Sequence, residues 1–159
     1  MRADDRPGLD PYELVAVPGG LLRFAVASYT DRVAVEAPAP AGEFMHVAAT
    51  LDDATGSMKL YKNGVCVAET TTAVRPFANL DPLSNPGVGI GNHGGLFQTP
   101  HHFPFHGLID ELKVYDQALT AAEVLAIYQA GHGGVPHGLR THKPDAQALM
   151  LRCSVSLTP

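Results

Sequence analysis

Met58-Lys-Leu-Tyr-Lys62 and Val65-Cys-Val-Ala-Glu69 are two strand-length runs joined only by Asn63-Gly64. Both central residues of a type I′ turn take positive φ, which Asn and Gly tolerate, so this stretch predicts a tight two-residue hairpin. The chain around it reads the same way. Tyr12 to Val17 ends in the turn Pro18-Gly19-Gly20, and Leu22 to Ala27 sets Leu22, Phe24 and Val26 on one face with Arg23 on the other. Val33 and Val35 alternate, Pro38 to Gly42 makes a connector, and Met45 to Leu51 places Met45, Val47, Ala49 and Leu51 together. Each run has strand length and strand punctuation. Asp52 to Gly56 leads into the hairpin, Val88 to Gly91 reads as a short strand, and His106 to Tyr115 as a longer one. Ile109, Leu112 and Val114 cannot all share one face of a regular strand, so a bulge is expected near Asp110-Glu111.

One helix interrupts the β pattern. Thr120-Ala-Ala-Glu123 is a capping box, Leu119 and Val124 occupy the staple positions, and Gly131 is placed to end the helix. Leu125, Ile127 and Tyr128 supply its apolar surface. Beyond Gly131 the chain turns Gly- and His-rich, with no sustained period apart from Ala148 to Leu151. The expected division is a linker or disordered segment over 1–11, one β domain over 12–131, and a mostly irregular tail over 132–159.

A length of 159 residues fits one domain. With 45% hydrophobic and 17% charged residues, the chain can bury a core. Sixteen glycines and thirteen prolines, with no tryptophan, suit short strands and many turns better than a helical bundle. The net charge of −5 comes without a basic cluster to hold a phosphate backbone, which speaks against a nucleic-acid partner. The longest stretch free of Asp, Glu, Lys and Arg runs from Pro82 to Ile109, but Pro, Gly, Asn and His break it, so no membrane span is expected. No apolar h-region follows Met1. The chain therefore shows no signal peptide, and is expected to be cytosolic or a piece of a longer protein. Cys66 and Cys153 are too few for a disulfide framework.

Gly42-Glu-Phe-Met-His-Val-Ala-Ala-Thr-Leu-Asp52 resembles the G-x-W-x-H-V-A-x-T-Y-D segment of LamG-like jelly-roll domains, relatives of laminin G domains and concanavalin A-like lectins. Phe44 stands where the family has Trp. Lys59 to Ala68 is similar to the family's L-Y-x-N-G-x-x-V-A hairpin, and Ile90-Gly-Asn92 to its I-G-N. Phe105 to Val124 resembles the terminal F-x-G-x-I-D-E-V-R-I-Y-N-R-A-L-S-x-x-E-I. The resemblance runs from about Tyr12 to Gly131. It implies an all-β, two-sheet antiparallel jelly-roll sandwich with one short C-terminal helix. Such domains begin with further strands before the one at Tyr12, so this chain is expected to enter the fold part-way, lacking its first strands. Leu14, Val15 and Val17 would then lie on an apolar open edge, and the chain would self-associate through open sheet edges, by edge pairing or strand exchange.

Relatives of this fold hold a structural calcium, and the resemblance points to Asp110 as ligand, with Asn92 and Asp52 as weaker candidates. The alternative has Asp110 accepting backbone amides at the bulge and Asp52 starting a turn. His93, His101, His102 and His106 crowd one loop, but Pro104 disrupts their spacing and no Cys partner completes a zinc set; a polar loop is the plainer reading. Cys66 falls where the family has an apolar residue and is expected to be a buried, inert thiol. Glycosidase chemistry needs two facing carboxylates, whereas Asp110 and Glu111 are adjacent and Asp116 stands apart. No G-x-S-x-G or Cys/His signature accompanies them, so no catalytic residue is expected. Glycan binding needs exposed aromatic faces; Tyr29, Phe97, Phe103 and Phe105 are the candidates, with Phe105 in the F-x-G position more at home in a core. The expected function is non-catalytic recognition of a glycan or an extracellular protein, as a module of a secreted or cell-surface protein. The alternative is a structural accessory domain of a larger enzyme or adhesin. A glycoside hydrolase or polysaccharide lyase on the same fold is disfavoured.

Overall fold

Each alternating run forms a strand, and every ladder found between strands is antiparallel. The computed structural model describes residues 2–3, 10–40, 42–77, 87–91, 105–131 and 147–155. Its strands are β1 (Arg2–Ala3), β2 (Tyr12–Val17), β3 (Leu21–Ala27), β4 (Arg32–Pro38), β5 (Phe44–Leu51), β6 (Ser57–Lys62), β7 (Val65–Thr71), β8 (Gly87–Val88), β9 (Gly107–Tyr115) and β10 (Gln147–Val155). One helix, α1 (Ala121–Ala130), precedes β10. The first sheet runs β4-β3-β2-β1-β8 and the second β7-β6-β5-β10-β9. Together they make the jelly-roll sandwich that the alternation and the resemblance imply.

The core lies between the sheets. Leu22, Phe24, Val26 and Val35 from the first meet Met45, Val47, Ala49, Leu51, Met58 and Leu60 from the second. Fully burying one such side chain contributes roughly 1.5–3 kcal/mol, so a one-residue slip of β6, which would turn Lys59 inward, is strongly disfavoured. Burial thus sets the register. The hairpin turn agrees with it: Lys62 pairs with Val65 across Asn63 (φ 50) and Gly64 (φ 79).

Period two alone does not explain β5, where Val47 to Leu51 are all buried. The reason is α1, which covers the outer face of the second sheet. Val124 and Ile127 of the helix, with Leu119, pack on Ala48 and Tyr61, and Tyr115 flanks them. The helix begins as its sequence predicts. Thr120 Oγ1 accepts the Glu123 amide at 3.3 Å, while the Glu123 carboxylate accepts the Thr120 amide at 2.7 Å. Gly131 follows the last turn with its amide donated to Ile127, in ordinary right-handed geometry (φ −62).

The bulge in β9 is present. Lys113 pairs with Met150 and Asp110 with Arg152, so two residues of β9 oppose one of β10, and Glu111 takes φ 51 to make the step. This shifts the alternation by one and reconciles Ile109 with Val114. A second irregularity lies in β7, where Tyr61 pairs with Cys66 but Leu60 with Ala68, leaving Val67 as the extra residue.

Three expectations are corrected. The tail over 132–159 contains a nine-residue strand, β10, seated between β5 and β9. Its run Gln147-Ala-Leu-Met-Leu-Arg-Cys-Ser-Val155 carries the unbroken apolar stretch Ala148 to Leu151, and its identity comes from distant partners rather than local pattern. In the segment 1–11, Arg2–Ala3 forms β1, paired with β2 and β8. Finally, Cys66 is exposed rather than buried, because β7 is the edge strand of its sheet and the bulge turns that stretch outward. The apolar edge expected at β2 is also less open than foreseen: Leu14, Val15 and Val17 are half-buried, and Leu14 packs on the core.

Candidate functional site

One end of the sandwich is built from the β3–β4 turn, the β5–β6 loop and the segment that follows β7. The turn is held by its own polar side chains. Ser28 donates its amide to Asp31 at 2.8 Å, and Ser28 Oγ accepts the Asp31 amide at 2.9 Å. Thr30 Oγ1 donates to the Asp31 carboxylate at 2.6 Å. Tyr29 is thereby pushed to the tip, 53% exposed, with its ring stacked on buried Phe77 at a centroid distance of 4.7 Å and an interplanar angle of 28°. Phe77 is itself fixed, its amide donating to the Ala27 carbonyl at 3.3 Å.

Arg75 ties this segment to the neighbouring loop. Its Nε donates to the Asp53 carboxylate at 2.6 Å, its Nη1 to the Thr72 carbonyl at 2.8 Å, and its Nη2 to the Asp53 carbonyl. Gly56 closes the loop with φ 72, and its carbonyl accepts the Thr72 amide at 3.0 Å. A Cβ there would stand 2.2 Å from the Thr72 carbonyl oxygen, so only glycine fits. The result is a rim with a braced aromatic face and fixed polar neighbours.

The three expected calcium ligands do not come together as a set. Asp52 starts the β5–β6 turn: its Oδ1 accepts the Thr55 amide at 2.8 Å, and its carbonyl accepts the Gly56 amide at 2.8 Å. That amide from Thr55, with the Thr55 side chain behind it, holds the Asp52 carboxyl below its ordinary pKa. Asp110 is exposed on β9 in the row Asp110–Arg152–His46, whereas Asp52 lies six residues beyond His46 along β5. At ~3.3 Å per residue the two carboxylates are about 20 Å apart along the strands, so no single ion joins them. Asn92 lies outside the described residues, as do His93, His101 and His102. Among the described residues no three Asp, Glu, His or Cys side chains converge on one point.

The acidic cluster of β9 offers no facing pair either. Glu111 occupies the bulge with its carboxylate 3.9 Å from Lys113 Nζ, while Asp110 sits in the regular register beside it. Of the aromatic candidates, Phe105 is half-buried against the core, and Phe97 and Phe103 lie outside the described residues. Tyr29 remains. Sequence reasoning missed Phe77 and Arg75, which brace it; both follow the hairpin in a stretch without period, where only tertiary contact gives them a role. No described helix is long and apolar enough to cross a membrane.

Residues 3–125 match the family model described as the Concanavalin A-like lectin/glucanases superfamily. The chain belongs to this superfamily. The match takes in the strands from Ala3 through β9 and the first half of α1, and β10 lies outside it. Among solved structures, this superfamily member is similar to an S-layer domain-containing protein from Clostridium thermocellum (residues 221–444), at 26% identity and a TM-score of 0.45. The alignment covers 80% of this chain and 61% of that one. No curated protein matches.

Proposed function

We propose that this lectin-like domain is a non-catalytic recognition module of a cell-surface or secreted protein, and that it binds carbohydrate at the rim around Tyr29. The observation that carries the reading is the stack of exposed Tyr29 on buried Phe77. A ring backed by a second ring loses little conformational freedom on binding, and a phenol presents an apolar face beside a polar tip. The Thr30 hydroxyl and Asp31 carboxylate stand next to it in fixed positions, as hydrogen-bonding partners for a sugar's hydroxyl groups. Membership in a superfamily of lectins and glucanases agrees with a glycan ligand.

A glycan array with the wild type, Tyr29→Phe and Tyr29→Ala tests this. The expected result is a signal for at least one glycan class that Tyr29→Phe retains and Tyr29→Ala loses, with melting unchanged in both. Equal binding by Tyr29→Ala moves the site elsewhere. A blank array favours the structural accessory role, and release of reducing sugar from a polysaccharide would replace both with a hydrolase.

A further inference from the structure

The pair Asn63-Gly64 carries a reactivity as well as a turn. An asparagine side chain is open to attack by the next backbone nitrogen when glycine follows, because no Cβ shields that nitrogen. Asn63 is exposed to solvent, whereas Gly64 is buried beneath Leu125 and Tyr128 of α1. Asn63 also extends the β5–β6 ladder beyond its last pair, Val47 with Lys62. Its amide donates to the His46 carbonyl at 2.8 Å, and its Oδ1 stands in for a backbone oxygen by accepting the His46 amide at 3.0 Å. Two contacts thus hold this turn: β5 holds the side chain of Asn63, and α1 covers Gly64.

The turn so held is in an unreactive conformation. Attack closes a five-membered ring, for which Cβ of Asn63 and the Gly64 nitrogen must lie on the same side of the Cα–C bond. In a type I′ turn, with φ 50 at Asn63, they lie on nearly opposite sides. The peptide between the two residues has to swing round, and Gly64 cannot follow while α1 rests on it. We propose that Asn63 is a modification site, deamidated through a cyclic imide, and that the docking of α1 on Gly64 gates the reaction. When the helix lifts, solvent base removes the Gly64 amide proton and the nitrogen bonds to Cγ. The Cγ–Nδ2 bond breaks, and Nδ2 takes a proton from water and leaves as ammonia. Water then opens the ring at either carbonyl. Opening at the main-chain carbonyl gives isoaspartate, whose backbone runs through Cβ and Cγ and adds one carbon to a two-residue turn. Lys62 then no longer meets Val65 in register, and Gly64 no longer fits under Leu125. The step is one-way, because the helix that lifted has lost its seat.

Ageing the full chain in warm buffer at neutral pH tests the gate, with conversion of amide to acid at Asn63 followed by peptide mapping in a mass spectrometer. Wild type in urea is expected to convert readily, and folded wild type roughly tenfold or more slowly, since only the opened population reacts. Thr120→Ala, which removes the helix cap, is expected to convert about fivefold faster than folded wild type, the ~1 kcal/mol of a lost cap taken at ~1.4 kcal/mol per tenfold. Val35→Ala weakens the core between the sheets, outside the helix packing, and is expected to stay near the wild-type rate; Ile109→Val is the milder form of the same control. Equal rates in folded and unfolded wild type would show that nothing gates the reaction. A Thr120→Ala rate no higher than wild type, or core variants that accelerate as much as Thr120→Ala, would mean that helix lifting is not the route. No conversion in urea would remove the site. The isoaspartyl chain, separated by ion exchange, is expected to melt below Asn63→Asp, which has the same charge on an unlengthened backbone. Equal melting would overturn the one-way step.

Discussion

A Cβ on Gly64 would stand 2.8 Å from Leu125 Cδ1, so the hairpin turn is the floor on which α1 lies. Glycine is required there twice over. Its φ of 79° excludes most side chains, and a Cβ would also press on Leu125 Cδ1, on Tyr128 Cδ1 at 3.1 Å and on Leu125 Cα at 3.3 Å. Gly64→Ala is therefore expected to cost about 2 kcal/mol, more than the left-handed backbone alone, and Gly64→Val more again. Urea denaturation of a double-mutant cycle with Leu125→Ala separates the two parts. The pair should show a favourable coupling, because truncating Leu125 vacates the space; strict additivity would mean that the helix does not rest on the turn.

Thr120→Ala should cost about 1 kcal/mol, since it removes the acceptor for the Glu123 amide and half of a reciprocal pair. Denaturation monitored by circular dichroism checks this. The loss should fall on the whole domain rather than on the helix alone, because Val124 and Ile127 are part of the packing on Ala48 and Tyr61.

The depressed Asp52 pKa makes a stability contribution with a defined sign. The Thr55 amide favours the ionised carboxyl in the folded state, so the contribution is complete above the unfolded value near 3.8 and is lost as pH falls through the lower folded value. The gap in urea midpoint between wild type and Asp52→Ala should accordingly be present at pH 6 and narrow at pH 2.5. A gap that stays constant across that range would mean that the carboxylate is not what the turn uses.

Cys66 is exposed, but its sulfur leans back toward the Ala68 carbonyl at 3.6 Å, and partial burial followed by the Glu69 charge pushes the thiol pKa up. Iodoacetamide should reach it in the folded protein, slowly at pH 7 and faster as pH rises past the ordinary thiol range. Mass spectrometry of the labelled peptide provides the readout. Rapid labelling at neutral pH would place the sulfur in a different setting.

For calcium, the placement of the two aspartates separates the candidates. Any calcium-dependent rise in melting temperature is expected to survive Asp52→Ala, because Asp52 is committed to Thr55 and lies at the far end of the strands from Asp110, and one carried by Asp110 would vanish in Asp110→Ala. The reverse pattern would move the ion to the β5–β6 loop.

Local features were legible in the sequence wherever one or two residues determine the backbone. Asn63-Gly64 announced its turn, Thr120 and Glu123 their cap, and the broken alternation of Ile109 and Val114 the bulge at Glu111. What stayed hidden depends on partners far away in the chain. β10 reads as an apolar patch in an irregular tail until β5 and β9 are set beside it, and Cys66 reads as buried until β7 is known to be an edge. The candidate site divides the same way: Tyr29 was visible as an aromatic, but the Phe77 ring behind it and the Arg75 clamp were not.

The order of strands also sets a clock on synthesis. Ninety-six positions separate Leu51 from its partner Gln147, and at about 5–20 residues per second a ribosome needs roughly 5–20 s to translate them. Throughout that interval β5 has left the exit tunnel, or is leaving it, without the neighbour that completes its backbone pairing. The nascent domain can collapse around its hairpin, but the sheet cannot close before residues 147–155 are made. Newborn chains on one messenger would meet each other in that state, each holding an empty groove and about to produce the strand that fits it.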